Sequence, residues 1–149
     1  MSKYGENDKQ GQYWNEAPGQ AWVVNDTAMN ERLQTISDIL FEGLDANGCN
    51  NGLDIGCGAG STTRRLATIM GNQANVTGLD ISGKLLALAR SHPESLGKNF
   101  LQADAQSYIF EPEGFDLAIS RFGVMFFENP FKASITNITQ FAYLISFLE

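Results

Sequence analysis

Six residues have the types and spacing of a small-molecule site: Gly56, Gly58 and Gly60, at alternate positions in LDIGCGAGSTT, and the carboxylates Asp54, Asp80 and Asp104. Three glycines in five residues allow unusual backbone angles and remove every Cβ from a ligand's path. The free N–H groups of a helix beginning near Ser61 would add hydrogen bonds. A tight turn alone needs one glycine or two, so the spacing implies a bulky cofactor lying against main chain. The dinucleotide fingerprint G-x-G-x-x-G holds a pyrophosphate at a helix N-terminus. Here the third glycine arrives one residue early, and Ser61 stands where that fingerprint has glycine. Asp54 would repel a diphosphate if it faced the pocket and would suit an ammonium or sulfonium group. Asp80 ends the run VTGLD, where a carboxylate can accept both hydroxyls of a ribose. Asp104 ends NFLQAD and could accept from the exocyclic amine of adenine. One such acid is usually a surface charge; three at successive strand ends exceed what chance solvation arranges.

The elements that must position these residues follow from periodicity. Met29, Leu33, Ile36, Leu40 and Leu44 recur at helical spacing, which predicts one amphipathic helix from Thr27 to Asn47, stopped by Gly48. Strand-like runs follow at Gly52 to Ile55, Val76 to Leu79, Phe100 to Ala103 and Phe115 to Ser120. Helical patterns separate the first three: Thr62 to Met70, closed by Gly71, and a helix capped by Ser82 that runs to about Ser91. The segment from Gln106 to Gly114, broken by Pro112, is too short for a helix. This alternation predicts parallel pairing with right-handed crossovers, an α/β fold with an open sheet. The glycines then fall at the carboxyl edge of the sheet, where open α/β folds hold ligands. Residues 1–20 are polar and without period, which predicts a loosely ordered N-terminal arm unless Tyr13, Trp14 and Trp22 dock; residues 21–149 form the domain proper.

Composition narrows the partners. The 149 residues carry 43% hydrophobic and 18% charged side chains, the profile of one soluble domain. A net charge of -7 without a basic run speaks against nucleic acid. No apolar stretch approaches about 18 residues and the start lacks a secretory signal, so a cytoplasmic location without a membrane span is expected. Cys49 and Cys57 form no CxxC pair, and His92 is the single histidine, in a polar turn. A metal site or a His-centred triad is therefore not expected.

Together the segments LDIGCGAGSTT, VTGLDIS, NFLQADAQ and FDLAISRFGVMFFENP resemble, in order and spacing, the class I S-adenosylmethionine-dependent methyltransferases, over about Tyr13 to Lys132. The last segment and the aromatic arm YWNEAPGQAW are similar to the small-molecule branch that includes the ubiquinone and menaquinone biosynthesis enzymes. The resemblance implies a Rossmann-like, mostly parallel sheet with flanking helices and S-adenosylmethionine as cofactor. It places Gly56, Cys57, Gly58 and Gly60 against the cofactor's aminoacyl and ribose portion and Asp54 near its amino group. By the same resemblance Asp80 takes the ribose hydroxyls, Ile81 packs on adenine, and Asp104 with the main chain of Ala105 reads the adenine edge. Ser120, Arg121 and Phe122 would contact the methionine part and wall the acceptor pocket. Arg121 could equally be an exposed ion-pair partner, and Trp14 and Trp22 either flap over the cofactor or pack the arm onto the sheet. Methyl transfer is a one-step displacement that needs alignment and water exclusion more than a protein nucleophile, so no catalytic residue is singled out.

The C-terminus departs from that family. A helix capped by Asn129 should start at Pro130 and lead through a proline–glycine turn into three further strands, but ITNITQFAYLISFLE has no such turn. The sheet is expected to be incomplete relative to the usual seven strands, in a fragment, a truncated product or a domain that borrows strands. Helix and strand readings compete over FAYLISFLE. With no fifth strand legible, the fourth would be an uncovered edge, which predicts self-association and little turnover. Three functions stay open: methyl transfer to a small molecule, a non-catalytic cofactor-binding module, and a nicotinamide-dependent oxidoreductase.

Overall fold

The computed structural model describes residues 7–128 and 141–144. Three helices, Asp8–Asn15 (α1), Ala17–Arg32 (α2) and Gln34–Glu42 (α3), lead into the alternating part. There Asn51–Ile55 (β1), Ser61–Met70 (α4), Asn75–Asp80 (β2), Gly83–Ser91 (α5), Asn99–Gln102 (β3), Leu117–Arg121 (β4) and Phe141–Leu144 (β5) follow in order. The strands form one sheet in the order β3-β2-β1-β4-β5, every neighbouring pair parallel. The chain direction of strand addition reverses between β1 and β4, and it is beyond the carboxyl ends of such a pair that a crevice opens.

Period-two alternation assigns the strand side chains to two cores. Leu53, Ile55, Leu79 and Ala118 point to one face, with Ala105 and Phe110 closing over them. Val76, Leu117 and Ile119 point to the other, against Leu66 of α4 and Leu40 and Phe41 of α3. β1 and β4, lined on both faces, are therefore almost wholly buried, as central strands of a parallel sheet must be. Ser82 caps α5 by accepting from Leu85 N–H at 3.3 Å, a contribution of about 1 kcal/mol. Asp116, expected inside the fourth strand, precedes it and accepts from the N–H groups of Asn50 (2.8 Å) and Asn51 (3.0 Å), tying the starts of β1 and β4.

Four expectations need correction. The helix from Thr27 to Asn47 is two helices: α2 ends at Arg32, Leu33 turns, and α3 ends at Glu42 with Gly43 as its C-cap. Its apolar stripe serves two surfaces, Met29, Leu33 and Ile36 facing a cleft and Leu40 and Phe41 the sheet, which one straight axis does not serve. Gly48, at φ +75°, shapes the turn before β1 rather than stopping the helix. The N-terminal segment is helical from Asp8, and α2 crosses position 20 without a break. Its docking supplies the reason: Ser82 Oγ donates to the Trp14 carbonyl at 2.7 Å, and Asn15 joins Ile81 O (3.0 Å) and Gly83 N (2.8 Å). Finally, β4 is not an edge. Phe141–Leu144 pairs with it in parallel, Ala118 opposite Phe141 and Arg121 opposite Leu144. Within the tail the strand reading prevails over these four residues, while the helix expected from Pro130 lies outside the described residues.

Candidate functional site

A cleft of about 460 Å³ lies at the carboxyl edge of the sheet. Of the residues singled out in the sequence, Gly56, Cys57, Gly58, Asp80, Ile81, Asp104, Ala105, Arg121 and Phe122 line it; Asp54, Gly60 and Ser120 do not. The three excluded residues are buried. Asp54 is fully buried, and its Oδ2 accepts from Thr62 Oγ1 and Thr63 Oγ1, both at 2.7 Å. Its Oδ1 is buried without a hydrogen-bond partner among the described residues. Burial raises the Asp54 carboxyl above its ordinary value, opposed by the two threonine hydroxyls and by the positive charge of Arg121. Ser120 Oγ donates to Ile55 O at 2.9 Å and accepts from Val124 N–H at 3.2 Å, locking the ends of β1 and β4 together.

The three glycines have three different causes. A Cβ on Gly56 would stand 2.6 Å from Gly123 Cα, so the loops after β1 and β4 pass backbone to backbone. A Cβ on Gly60, at φ +85°, would press on Phe100 and Arg64 at 3.0 Å. Only Gly58, at φ +55°, would project a Cβ into open space, with nothing within 4 Å. The expectation of one shared cause for the three is therefore corrected: Gly58 leaves open space at its Cβ position, whereas Gly56 and Gly60 are required by the close approach of Gly123 and Phe100.

Asp80 bridges the glycine loop and the start of α5, its Oδ2 accepting from Gly58 N–H and its Oδ1 from Ser82 N–H, both at 2.8 Å. Burial pushes its carboxyl up to about 6; the N–H donors of Ser82 and Gly58 oppose that rise and the charge of Asp54 adds to it. Each oxygen keeps further acceptor capacity toward the cleft. Asp104 Oδ1 accepts from Gln106 N–H (3.0 Å) and Asn7 Nδ2 (3.3 Å), and its Oδ2 from Ser107 Oγ (3.2 Å). The Cys57 thiol is raised well above its ordinary value, by burial first and then by Asp80 and Asp54, so it stays protonated and is no nucleophile. Among the described residues no group of side chains could hold a metal ion, and no helix is long and apolar enough to cross a membrane.

The sequence did not single out the helical wall. Asn7 at the N-cap of α1, Gln10 within it, and Asp26, Met29, Asn30 and Leu33 from α2 and its end line the cleft beside Trp14 and Trp22. Trp14 meets Phe126 edge-to-face at 5.4 Å and Trp22 at 5.9 Å, an aromatic seal between the arm and the turn after β4. The tryptophans thus both pack the arm and border the cleft, and their presence in an otherwise polar stretch was the available signal. Asn30 is the hub: its Oδ1 accepts from Ser61 Oγ (3.0 Å) and Arg121 Nη2 (3.1 Å), and its Nδ2 donates to Asp26 (3.1 Å). Arg121 is half-buried and also donates to Ser37 Oγ at 2.9 Å. No carboxylate among the described residues pairs with it, which corrects the exposed ion-pair alternative.

Comparison with known proteins places this geometry. A family profile described as "Methyltransferase domain" matches residues 53–141. The chain is 41% identical over 64 residues to 2-phytyl-1,4-naphtoquinone methyltransferase of Thermosynechococcus vestitus, covering 42% of this chain and 28% of that protein. It is 36% identical over 76 residues to the ubiquinone/menaquinone biosynthesis C-methyltransferase UbiE of Rhizobium leguminosarum bv. trifolii, covering 48% of this chain and 30% of that one. Among solved structures, an S-adenosylmethionine dependent methyltransferase from Mesorhizobium loti superposes with TM-score 0.58 at 29% identity, covering 71% of this chain and 50% of that one. The [4+2]-cyclase SpnF shares the fold at TM-score 0.66 and 21% identity, over 87% of this chain and 54% of its own. The chain thus spans less than a third of these two relatives and about half of these two structures. The glycine turn after β1, the acids ending β2 and following β3, and the whole of β2, β3 and β4 lie within the matched stretch, and the chain belongs to the methyltransferase domain family.

Proposed function

We propose that the cleft binds S-adenosylmethionine and that the protein transfers its methyl group to a small-molecule acceptor. The observation that carries this reading is Asp80, a buried carboxylate fixed by two N–H donors at the end of β2, one of them from Gly58, where a Cβ would meet no protein atom within 4 Å. In this arrangement Asp80 would accept the ribose hydroxyls, Ile81 would pack on adenine, and Asp104 with the main chain of Ala105 would read its amine edge. Gly56, Cys57 and Gly58 would border the ribose and aminoacyl part, supported by the buried Asp54, Gly60 and Ser120, with Arg121 and Phe122 on the acceptor side. A bound sulfonium would supply an electrophilic methyl carbon for displacement by an acceptor lone pair. The chain contributes alignment and water exclusion, for which the Trp14, Trp22 and Phe126 cluster is placed.

The ionised form of Asp80 accepts two hydroxyl donors, whereas the protonated form accepts less well. With the free carboxyl titrating near 6, binding below that pH must first expel a proton. Affinity for S-adenosylhomocysteine is therefore expected to be flat above pH 7 and to fall up to tenfold per unit below 6. Asp80→Ala should lose about 1.5 to 3 kcal/mol at pH 7.5 and show no such slope. Calorimetry across pH decides it; unchanged affinity in the variant would remove Asp80 from the site.

A second reading is cofactor binding without methyl transfer: a structure described as a [4+2]-cyclase shares the fold, so the fold alone does not fix the reaction. An oxidoreductase is supported less: Ser61 stands in the fingerprint's glycine position, although the argument from Asp54 weakens because it is enclosed beneath the loop. The same proposal includes a cytoplasmic setting, for which two unpaired cysteines speak, and no nucleic-acid partner, given the charge of -7. Self-association would use β3 or β5, the outermost strands among the described residues, rather than β4.

A further inference from the structure

We propose that the Arg121 guanidinium is an anion-recognition group, binding an oxyanion of carboxylate type carried by a ligand in the cleft. The argument starts from what Arg121 lacks. A guanidinium always carries its charge, and withdrawing it from water is costly without compensating acceptors. Arg121 is half-buried, yet its two hydrogen bonds, to Ser37 Oγ and Asn30 Oδ1, go to neutral oxygens, and no carboxylate among the described residues pairs with it. Two acids are close enough to be felt, Asp54 and Asp26. The first is enclosed and spends Oδ2 on two threonines; the second accepts from Asn30.

The same contacts fix the group in place. Ser37 belongs to α3, Asn30 to α2, and Asn30 also holds Ser61 at the start of α4, so three helices orient one guanidinium that lines the cleft. A fork of five donors keeps more than two for a ligand, and its planar geometry suits two oxygens side by side. Met29, Leu33, Ile36 and Phe122 line the same cleft, and apolar lining strengthens an ionic contact by excluding water. A cation preset in the wall of the cleft selects a ligand that carries an anionic group.

This rests on the methyl-transfer reading, under which the oxyanion has two sources: the amino-acid carboxylate of the cofactor, or an acidic methyl acceptor. The test uses the 149-residue chain and its Arg121→Gln and Arg121→Lys variants, with folding checked by circular dichroism. S-adenosylhomocysteine and 5′-methylthioadenosine, which lacks the amino-acid part, are titrated calorimetrically. Benzoate is then added at saturating S-adenosylhomocysteine and followed by saturation-transfer NMR. If the cofactor is the source, Arg121→Gln weakens S-adenosylhomocysteine at least tenfold and leaves methylthioadenosine unchanged, and Arg121→Lys recovers part of the loss. If the acceptor is the source, both nucleosides bind as before, and the benzoate signal of the unsubstituted protein disappears in Arg121→Gln. Equal weakening of both nucleosides, or no change with any probe, overturns the anion site while leaving the cofactor reading intact. Unsubstituted protein that binds neither nucleoside overturns the cofactor reading and this inference with it.

Discussion

Gly58→Val is expected to lower affinity for S-adenosylhomocysteine at least 100-fold, about 2.8 kcal/mol, while the protein stays folded. The residue sits at φ +55°, and a Cβ there would meet no protein atom within 4 Å. The valine Cβ would therefore meet no protein atom, and its two methyl groups would extend from a residue whose own N–H holds Asp80 Oδ2. The backbone conformation is unfavourable for a β-branched residue, at a cost of about 1 to 2 kcal/mol, so a modest drop in melting temperature accompanies the loss. Circular dichroism and calorimetry on the same sample separate the two effects. Retained affinity would mean that the glycine turn is only a turn.

Gly123→Ala should do the opposite, damaging the fold before the ligand enters. A Cβ at this position would lie 2.4 Å from the Ile55 carbonyl oxygen, 2.8 Å from Ser120 Oγ and 2.9 Å from Gly56 Cα. Two of those three atoms are backbone and cannot rotate away, so the ends of β1 and β4 must separate at the junction that Ser120 locks. Overpacking of this kind costs about 3 kcal/mol or more, and the melting temperature should fall by roughly 10 °C. Met125→Ala, on the same turn but partly exposed, should shift it far less. Equal melting temperatures for the two variants would show that the backbone crossing has slack.

These two glycines also mark how far the sequence could be read. The comb of Gly56, Gly58 and Gly60 located the turn, and the carboxylates at the ends of VTGLD and NFLQAD located Asp80 and Asp104, because strand ends and helix starts follow from local chemistry. The separate cause of each glycine was not legible, since Gly56 is required by Gly123 on a distant loop and Gly60 by Phe100 on β3. The same limit applies to Asn7 and Gln10: polar residues without a period give no local signal, and their place in the cleft depends on Trp14 and Asn15 docking against Ser82 and Ile81. The break at Leu33 was hidden because a single apolar period ran through it, although its two halves face different surfaces. Pairing of Phe141–Leu144 with β4 was left open for a related reason. A short apolar aromatic run is compatible with helix and strand alike, and only the edge waiting beside β4 decides between them.

The most direct test of the central claim is a calorimetric titration of the purified chain with S-adenosylhomocysteine and, separately, with NAD. Saturable binding of S-adenosylhomocysteine at one site per chain, abolished by Gly58→Val, with no heat from NAD, is the predicted result. Binding of NAD without binding of S-adenosylhomocysteine would contradict the account.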